Sequence, residues 1–335
     1  HETMAVLYVK EQGAYVRRKN ERVLVSKGAE TLLEIPVANL TNMAVIGSVQ
    51  VTAQALQMLM TRGVDVNYFS RSGKYLGCTA AEASKNIFLR LAQYEVWNDL
   101  ERRLAVARRI VDNKIRNQMT MIRRFHFDRE DYAWQPDVEK MEEYLGKLPG
   151  RQTSSEILGV EGICSSIYFG AFGHMFRCEF EFHGRNRRPP RDPINVMISL
   201  GYTFLTKEVN NALDAESFEM YLGFLHGIRY GRKSLALDMV EEFRQPVVDR
   251  LVIRLFNKRM ITEYDFSAEE DQILLNEDGF QKFCREFERW MTDKSFSEGE
   301  MSFRSRIREQ VSLLKKAVQT GADYVPFRWE GPTCI

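Results

Sequence analysis

Residues 222–246, LGFLHGIRYGRKSLALDMVEEFRQP, set one histidine, several acids and several bases between two glycine-broken helical runs. Ser234 followed by Leu235, Leu237, Val240 and Phe243 has the spacing of a capped amphipathic helix that Pro246 kinks or ends. Asp238 stands one turn before both Glu241 and Glu242. Side chains three and four apart share a helical face, so Asp238 can present oxygens beside either glutamate, and the spacing does not choose between them. Carboxylates grouped this way suit a metal cation. His226 lies in the preceding glycine-flanked turn, from which its imidazole can fold back over the same face, and Arg229, Arg232 and Lys233 supply positive charge nearby. Three acids on a helix more often form a solvated face, so a further acid elsewhere has to separate the two readings.

Glu161 is that acid. It interrupts the helix expected from residue 154 or 155 through EILGVEGICSSIYFGAFGHMF, among Leu158, Val160, Ile163, Ile167 and Phe169. A carboxylate in such a setting must find a cation, a donor or water, because burying an unpaired charge is expensive. Gly159 and Gly162 beside it leave room for another helix or a nucleic-acid backbone to come close.

The elements that must position these groups fall into two parts. Residues 4–83 read as a β-rich domain, with short alternating or apolar runs at 6–9, 14–17, 23–26, 32–35 and 43–46, a Gln12-Gly13 hairpin between the first two, and a helix over 51–62 that ends at Gly63. A strand over 64–69, a Ser72-Gly73 turn and a strand over 75–78 complete a small β-sandwich or curved sheet suited to scaffolding and self-association. Residues 84–325 carry helical periodicity: basic amphipathic runs over 86–125, a short helix over 138–145, the Glu161 helix, a helix capped by Asp192 and Pro193, and helices over 247–256, 280–290 and 302–318. The fold class is therefore α+β.

The 335 residues suffice for two cores, and 44% hydrophobic with 28% charged residues is an ordinary globular composition. Residues 1–3 precede Met4, which reads as the natural start. Five cysteines without a CxxC pair argue against a disulfide framework or zinc ribbon and favour a reducing cytoplasm. Neither a secretory signal nor a membrane-spanning apolar run is present. The net charge of +1 hides two basic clusters, residues 101–124 and the proline-broken loop GRNRRPPR at 184–191. Arg185, Arg187, Arg188 and Arg191, with Arg232, Lys233 and Lys114, suit local phosphate contact better than blanket nucleic-acid coating.

Glu161 in GVEG, His226 in YLGFLH and Glu241 in SLALDMVEEFRQP together resemble the metal-binding signature of the CRISPR-associated integrase family, the first protein of the adaptation machinery. RSGKYLG at 71–77, LRLAQY at 89–94, Lys114-Ile-Arg-Asn117-Gln118 and GRNRRPPRDPINVMISLGY extend the resemblance over almost the whole chain. It implies an N-terminal β-sandwich that forms a homodimer and an all-α catalytic domain. Glu161, His226 and Glu241 are then metal ligands and Asp238 a neighbouring acid, direct or one shell out. Two carboxylates and an imidazole suit Mg2+ or Mn2+. The implied activity is a cytoplasmic, prokaryotic DNA endonuclease and integrase that, with a small ferredoxin-like second adaptation protein, inserts short DNA fragments into a CRISPR array by 3′-hydroxyl attack on a repeat phosphodiester. The alternative is a DNA-binding structural module whose acids serve only internal salt bridges.

Overall fold

The computed structural model describes residues 5–81, 86–126, 132–186, 190–269, 272–297 and 299–330. Alternating sequence in the first eighty residues forms β1 (Ala5–Val9), β2 (Tyr15–Lys19), β3 (Arg22–Lys27), β4 (Glu30–Pro36), β5 (Leu40–Ile46), β6 (Gln50–Val51), α1 (Ala53–Thr61), β7 (Asp65–Phe69) and β8 (Tyr75–Thr79). They make two four-stranded sheets, ordered β1-β5-β7-β8 and β4-β3-β2-β6. In the first, β5 pairs in parallel with both β1 and β7, with Val45 opposite Val9 on one side and Tyr68 on the other. Val16, Val23 and Val25 of one sheet, Met43, Val45 and Val66 of the other, and Ala55, Met58 and Leu59 of α1 bury one shared core.

The turn at Gln12-Gly13 is not a hairpin. Strand β1 and strand β2 belong to different sheets, and this turn carries the chain between them. The Gln12 amide takes over the backbone groups left at the end of β5, donating to Ile46 O (3.0 Å) and accepting from Ser48 N (2.8 Å), while Gly13 adopts φ +79. Local turn chemistry is the same for either outcome; the partner strand comes from thirty residues downstream.

The helical part runs through α2 (Ile87–Asn98), α3 (Leu100–Phe125), α4 (Gln135–Lys147), α5 (Ser154–Phe172), α6 (Pro193–Ala215), α7 (Ser234–Val240), a π-helical stretch over Arg244–Asp249, and α8 (Arg250–Asn257). Capping follows the sequence at two starts. Thr153 and Glu156 form a reciprocal capping box on α5, and Asp192 accepts from Asn195 N with Pro193 in the first turn of α6. Ser234 does not cap α7: its hydroxyl donates instead to Gly227 O, and Lys233 holds the cap position without a side-chain bond. Pro246 lies in the π-helical stretch, where its missing N–H interrupts regular i→i−4 bonding.

Strands β9 (Phe266–Glu269) and β10 (Gln272–Leu275) and helix α9 (Glu277–Thr292) follow, then α10 (Lys294–Ser297) and α11 (Phe303–Thr320). The chain divides into a strand-rich unit of residues 1–83 with 261–292, and a helical unit of 84–260 with 293–335. The expected boundary of a single helical domain over 84–325 therefore needs correction, because 261–292 joins the strands. Phe280, Phe283 and Phe287 line one buried face of α9; Val6 N donates to Glu288 (3.2 Å), and the ring of Phe280 lies against Phe69 at 6.3 Å. No helix among the described residues is long and apolar enough to cross a membrane.

Helix α6 meets the π-helical stretch at Gly201, where a Cβ would stand 2.5 Å from Val248 Cγ1. Valine is stiff about χ1 and cannot swing away. Gly201→Ala is therefore expected to destabilise by about 2 kcal/mol despite alanine's better helix propensity, as measured by denaturant unfolding. In a Val248→Ala background the same change becomes neutral or stabilising; an equal loss in both backgrounds contradicts this contact.

Candidate active site

None of the three acids around α7 is on a solvated face: Asp238 and Glu242 are fully buried and Glu241 is 4% exposed. Each does something different. Asp238 collects the backbone of the preceding turn, accepting from Phe224 N (2.6 Å) and Leu225 N (3.0 Å) at Oδ2 and from His226 N (2.9 Å) at Oδ1. Its Oδ1 also faces His226 Nδ1 at 2.7 Å. A carboxylate so engaged can only accept, so Nδ1 carries a proton, and in the neutral form of the ring the lone pair is on Nε2. Asp238 is thereby a residue that orients the imidazole, with both oxygens used. The turn comes this close because Gly223 has no side chain: a Cβ there would lie 2.8 Å from Asp238 Oδ2 and from His226 O. Arg232 and Ser234 close the loop by donating to Gly227 O.

Glu161 and Glu241 converge from α5 and from the turn after α7 on one ammonium, that of Lys114 of α3. Lys114 Nζ contacts Glu161 Oε1 and lies 2.5 Å from Glu241 Oε2. Lys114 is 4% exposed, so the expectation that it contacts DNA is corrected: it is an interior counter-ion. Ser165, one turn after Glu161, donates to Glu161 Oε1 (2.8 Å) and accepts from Gln118 (3.1 Å), one turn after Lys114. Arg244 reaches Glu241 Oε1 at 3.1 Å. Burial by itself would raise Glu241, but Arg244 and Lys114, with a smaller contribution from His226, outweigh it and hold the carboxyl down to about 2. Glu241 is thus ionised at any working pH and lies within the electrostatic reach of the imidazole.

Glu242 points the other way. It accepts from the Tyr324 hydroxyl and from Phe327 N (2.9 Å), and burial pushes it up to about 7 in spite of those bonds. Structure thus separates two neighbours that spacing could not: Glu241 faces Lys114 and Glu242 faces the extended strap of residues 321–330. The strap is stapled along α3, where Asn113 donates to Phe327 O (2.6 Å) and Asn117 accepts from Trp329 N (3.0 Å) while donating to Glu242 O (3.2 Å). Phe327 stacks on Phe243 at 5.4 Å. Behind the site, Asp249 accepts from Tyr168 and Tyr202 hydroxyls, both at 2.7 Å, and burial raises it to about 6.

The basic residues divide. On α3, Arg108 clamps Arg151 O, Arg109 pairs with Asp323, Arg116 with Asp112 and Arg123 with Glu142, so much of that cluster is spent internally. Arg185 is pinned to α6 through Asn195 Oδ1 (2.7 Å) and Ser199 Oγ (3.1 Å). Arg191 is exposed, Arg232 is half-buried in the loop clasp and Lys233 is half-buried; Arg187 and Arg188 lie outside the described residues. Arg229 and Tyr230 are exposed four residues or fewer from His226. Gly159, Gly162, Ser166 and Gly170 form an exposed face of α5 beside Glu161, and a Cβ at any of the three glycines would meet nothing within 4 Å.

Among the described residues no three His, Cys, Asp or Glu side chains stand ready-made around a metal position. The ammonium of Lys114 lies between Glu161 and Glu241 instead. The donor set nevertheless fits a hard divalent ion: two carboxylates, an imidazole whose Nε2 is left with a lone pair, and Glu241 Oε2, a buried oxygen without an aligned hydrogen bond. Sequence reasoning missed Lys114 as counter-ion, and also Arg244, Ser165 and Gln118. The signal was there in part, since Arg244 follows Glu241 by three, Ser165 follows Glu161 by four and Gln118 follows Lys114 by four.

Comparison with known proteins gives a single direction. The family model for CRISPR associated protein Cas1 matches residues 7–289. The chain is 36% identical over 287 residues to CRISPR-associated endonuclease Cas1 3 of Thermus thermophilus, covering 85% of this chain and 84% of that one. Among solved structures it is similar to a CAS1 protein from Thermotoga maritima, with TM-score 0.82 at 26% identity over 94% of this chain and 97% of the other. It also shares its fold with a chain of a Cas6-RT-Cas1–Cas2 complex, with TM-score 0.82 at 23% identity over 99% of this chain and 37% of that one.

Two outcomes follow from the buried acids. Asp238→Asn turns an amide N–H toward backbone donors, so it is expected to cost about 2–4 kcal/mol and to release the imidazole tautomer, read by denaturant unfolding and by ring-nitrogen NMR; a fixed Nδ1–H in the variant contradicts the assignment. Glu242 is protonated in the fold up to about 7 but ionised in the unfolded chain above the ordinary range, so the unfolded state holds fewer protons in between and stability falls as pH rises through that window. Glu242→Gln should flatten that fall, gaining Tm over the wild type at pH 8 but not at pH 5; parallel Tm profiles would show that Glu242 is ionised in the fold.

Proposed function

The chain belongs to the Cas1 family of CRISPR-associated proteins, and we propose that it is a divalent-metal-dependent DNA endonuclease and integrase that joins short DNA fragments to a CRISPR repeat. The observation that carries this reading is the convergence of Glu161 and Glu241 on one ammonium, with His226 in electrostatic reach of Glu241 and bonded through Nδ1 to Asp238.

Glu161, Glu241 and His226 Nε2 would hold Mg2+ or Mn2+. When bound, such an ion supplies Lewis-acid stabilisation of the charge that builds on a scissile phosphate as a 3′-hydroxyl attacks. The protein's own groups do the rest. Asp238 fixes the imidazole, Arg244 and Ser165 fix the two carboxylates, and the exposed small-residue face of α5 leaves space for a sugar-phosphate backbone beside Glu161. Arg229 and Lys233 on the His226 loop, with Arg191 ahead of α6, offer phosphate contacts that position DNA without reading bases. A Cas2 protein is the proposed partner, because a structural neighbour is part of a Cas1–Cas2 complex, and the strand-rich unit is the proposed dimerisation region.

A second reading, a DNA-binding module without catalysis, draws on the ion pairs of Lys114, which satisfy the acids internally. The two part on divalent-ion dependence. Glu161→Ala, assayed with the Cas2 partner, a CRISPR-bearing plasmid and short duplexes in Mg2+ or Mn2+, is expected to reduce joined products to background while the far-ultraviolet circular dichroism is kept. Joined products at wild-type level, or products that form equally in chelator, remove the metal-dependent reading.

A further inference from the structure

Lys114 is a cation supplied by the chain itself at the point where the carboxylates meet. Its side chain leaves a helix whose next turn is fixed on both sides, by Gln118 to Ser165 and by Asn117 to Glu242 and Trp329. The helix therefore delivers the ammonium to a set place. It touches Glu161 and Glu241 together, although these come from two other elements. Arg244 already neutralises the far oxygen of Glu241, so among the described residues the near oxygen, Oε2, has Lys114 as its positive neighbour in contact, and it lacks an aligned hydrogen bond there. That pattern is an ion pair held by charge more than by directed bonding. Such a pair is easily exchanged for a more highly charged ion.

We propose that Lys114 is a tethered stand-in for the divalent ion: it holds Glu161 and Glu241 together in the metal-free protein and is displaced when Mg2+ or Mn2+ binds, so that the ion's affinity is set by competition with the ammonium. This rests on the proposed metal-dependent function and adds the regulation of that site. A buried and a half-buried carboxylate facing each other without a cation repel, and the lysine removes that cost before the ion arrives. The flexible four-carbon stem has the torsional freedom such a displacement needs. Lys114 is a positioning residue for the two carboxylates, and binding, not turnover, is where it acts.

The test is Mn2+ titration of the full chain, followed by electron paramagnetic resonance of the free ion, with thermal melting of the same samples. Lys114→Met is expected to bind Mn2+ about tenfold more tightly than the wild type, because the competing charge is gone. Its metal-free Tm falls, and saturating Mn2+ raises its Tm by more than it raises the wild type's. Lys114→Arg keeps the charge and binds no more tightly than the wild type. Lys114→Gln gives the direction of the methionine variant should that one fail to fold. Equal or weaker Mn2+ binding by both neutral variants overturns the displacement, since the ammonium is then no competitor. Absence of Mn2+ binding to the wild type and to the neutral variants alike, matched by Glu161→Gln, overturns the metal-dependent function itself and is distinct from equal binding by all.

Discussion

Two ionised carboxylates brought together inside a protein repel one another unless a cation lies between them or they share a proton. That constraint organises the helical unit. Lys114 meets it, and the surroundings of α3 are arranged to hold Lys114 where Glu161 and Glu241 can both reach it. One face of α3 is polar although buried: Asn113 and Asn117 turn to the C-terminal strap, and Lys114 and Gln118 turn to the acids. A polar face in the interior costs stability unless each group finds a partner, and the strap of residues 321–330 supplies those partners from behind. The strap also takes Glu242 out of competition by engaging it with Tyr324 and Phe327. Adjacent glutamates of the same type thus end in opposite protonation regimes, Glu241 held low by cations and Glu242 held high by burial.

The histidine is placed by a separate device. Asp238 gathers three backbone N–H groups and one imidazole N–H, so the loop and the ring orientation are decided by one side chain. Gly223 makes the approach sterically allowed, and the clasp at Gly227 O keeps the loop from opening outward. A ring held through one nitrogen presents the other in a set direction, whereas a ring free to turn does so only part of the time. Asp238 and Lys114 therefore do complementary work: one sets the imidazole, the other the pair of carboxylates.

Much of this was legible in the sequence. The unusual acid amid apolar residues singled out Glu161, and helical spacing singled out Asp238 and the two glutamates after it. What spacing could not give was direction. Glu241 and Glu242 are one residue apart, and which of them turns inward depends on the strap, some eighty residues later. The burial of Lys114 leaves no local mark for a related reason: on a helix rich in arginine, one more base looks like part of the solvated face, and only the acids arriving from α5 and from the turn after α7 make it an interior group. In the strand-rich unit the strands themselves were plain, yet the turn at Gln12-Gly13 looked like a hairpin because parallel pairing of β1 with β5 leaves no local mark. Helix α9 joins the strand-rich unit and not the helical one, because its apolar face specifies burial but not the surface it is buried against. Local chemistry was readable wherever a residue's partner lay within a turn; where the partner came from a distant element, it was not.

The most direct measurement is anomalous diffraction at the manganese edge from crystals of the protein soaked in Mn2+. A single peak in bonding contact with Glu161, Glu241 and His226 Nε2, with the Lys114 ammonium withdrawn from between the carboxylates, is the expected result. A peak bound elsewhere, or Lys114 still bridging Glu161 and Glu241 at saturating Mn2+ with no peak beside them, would contradict it.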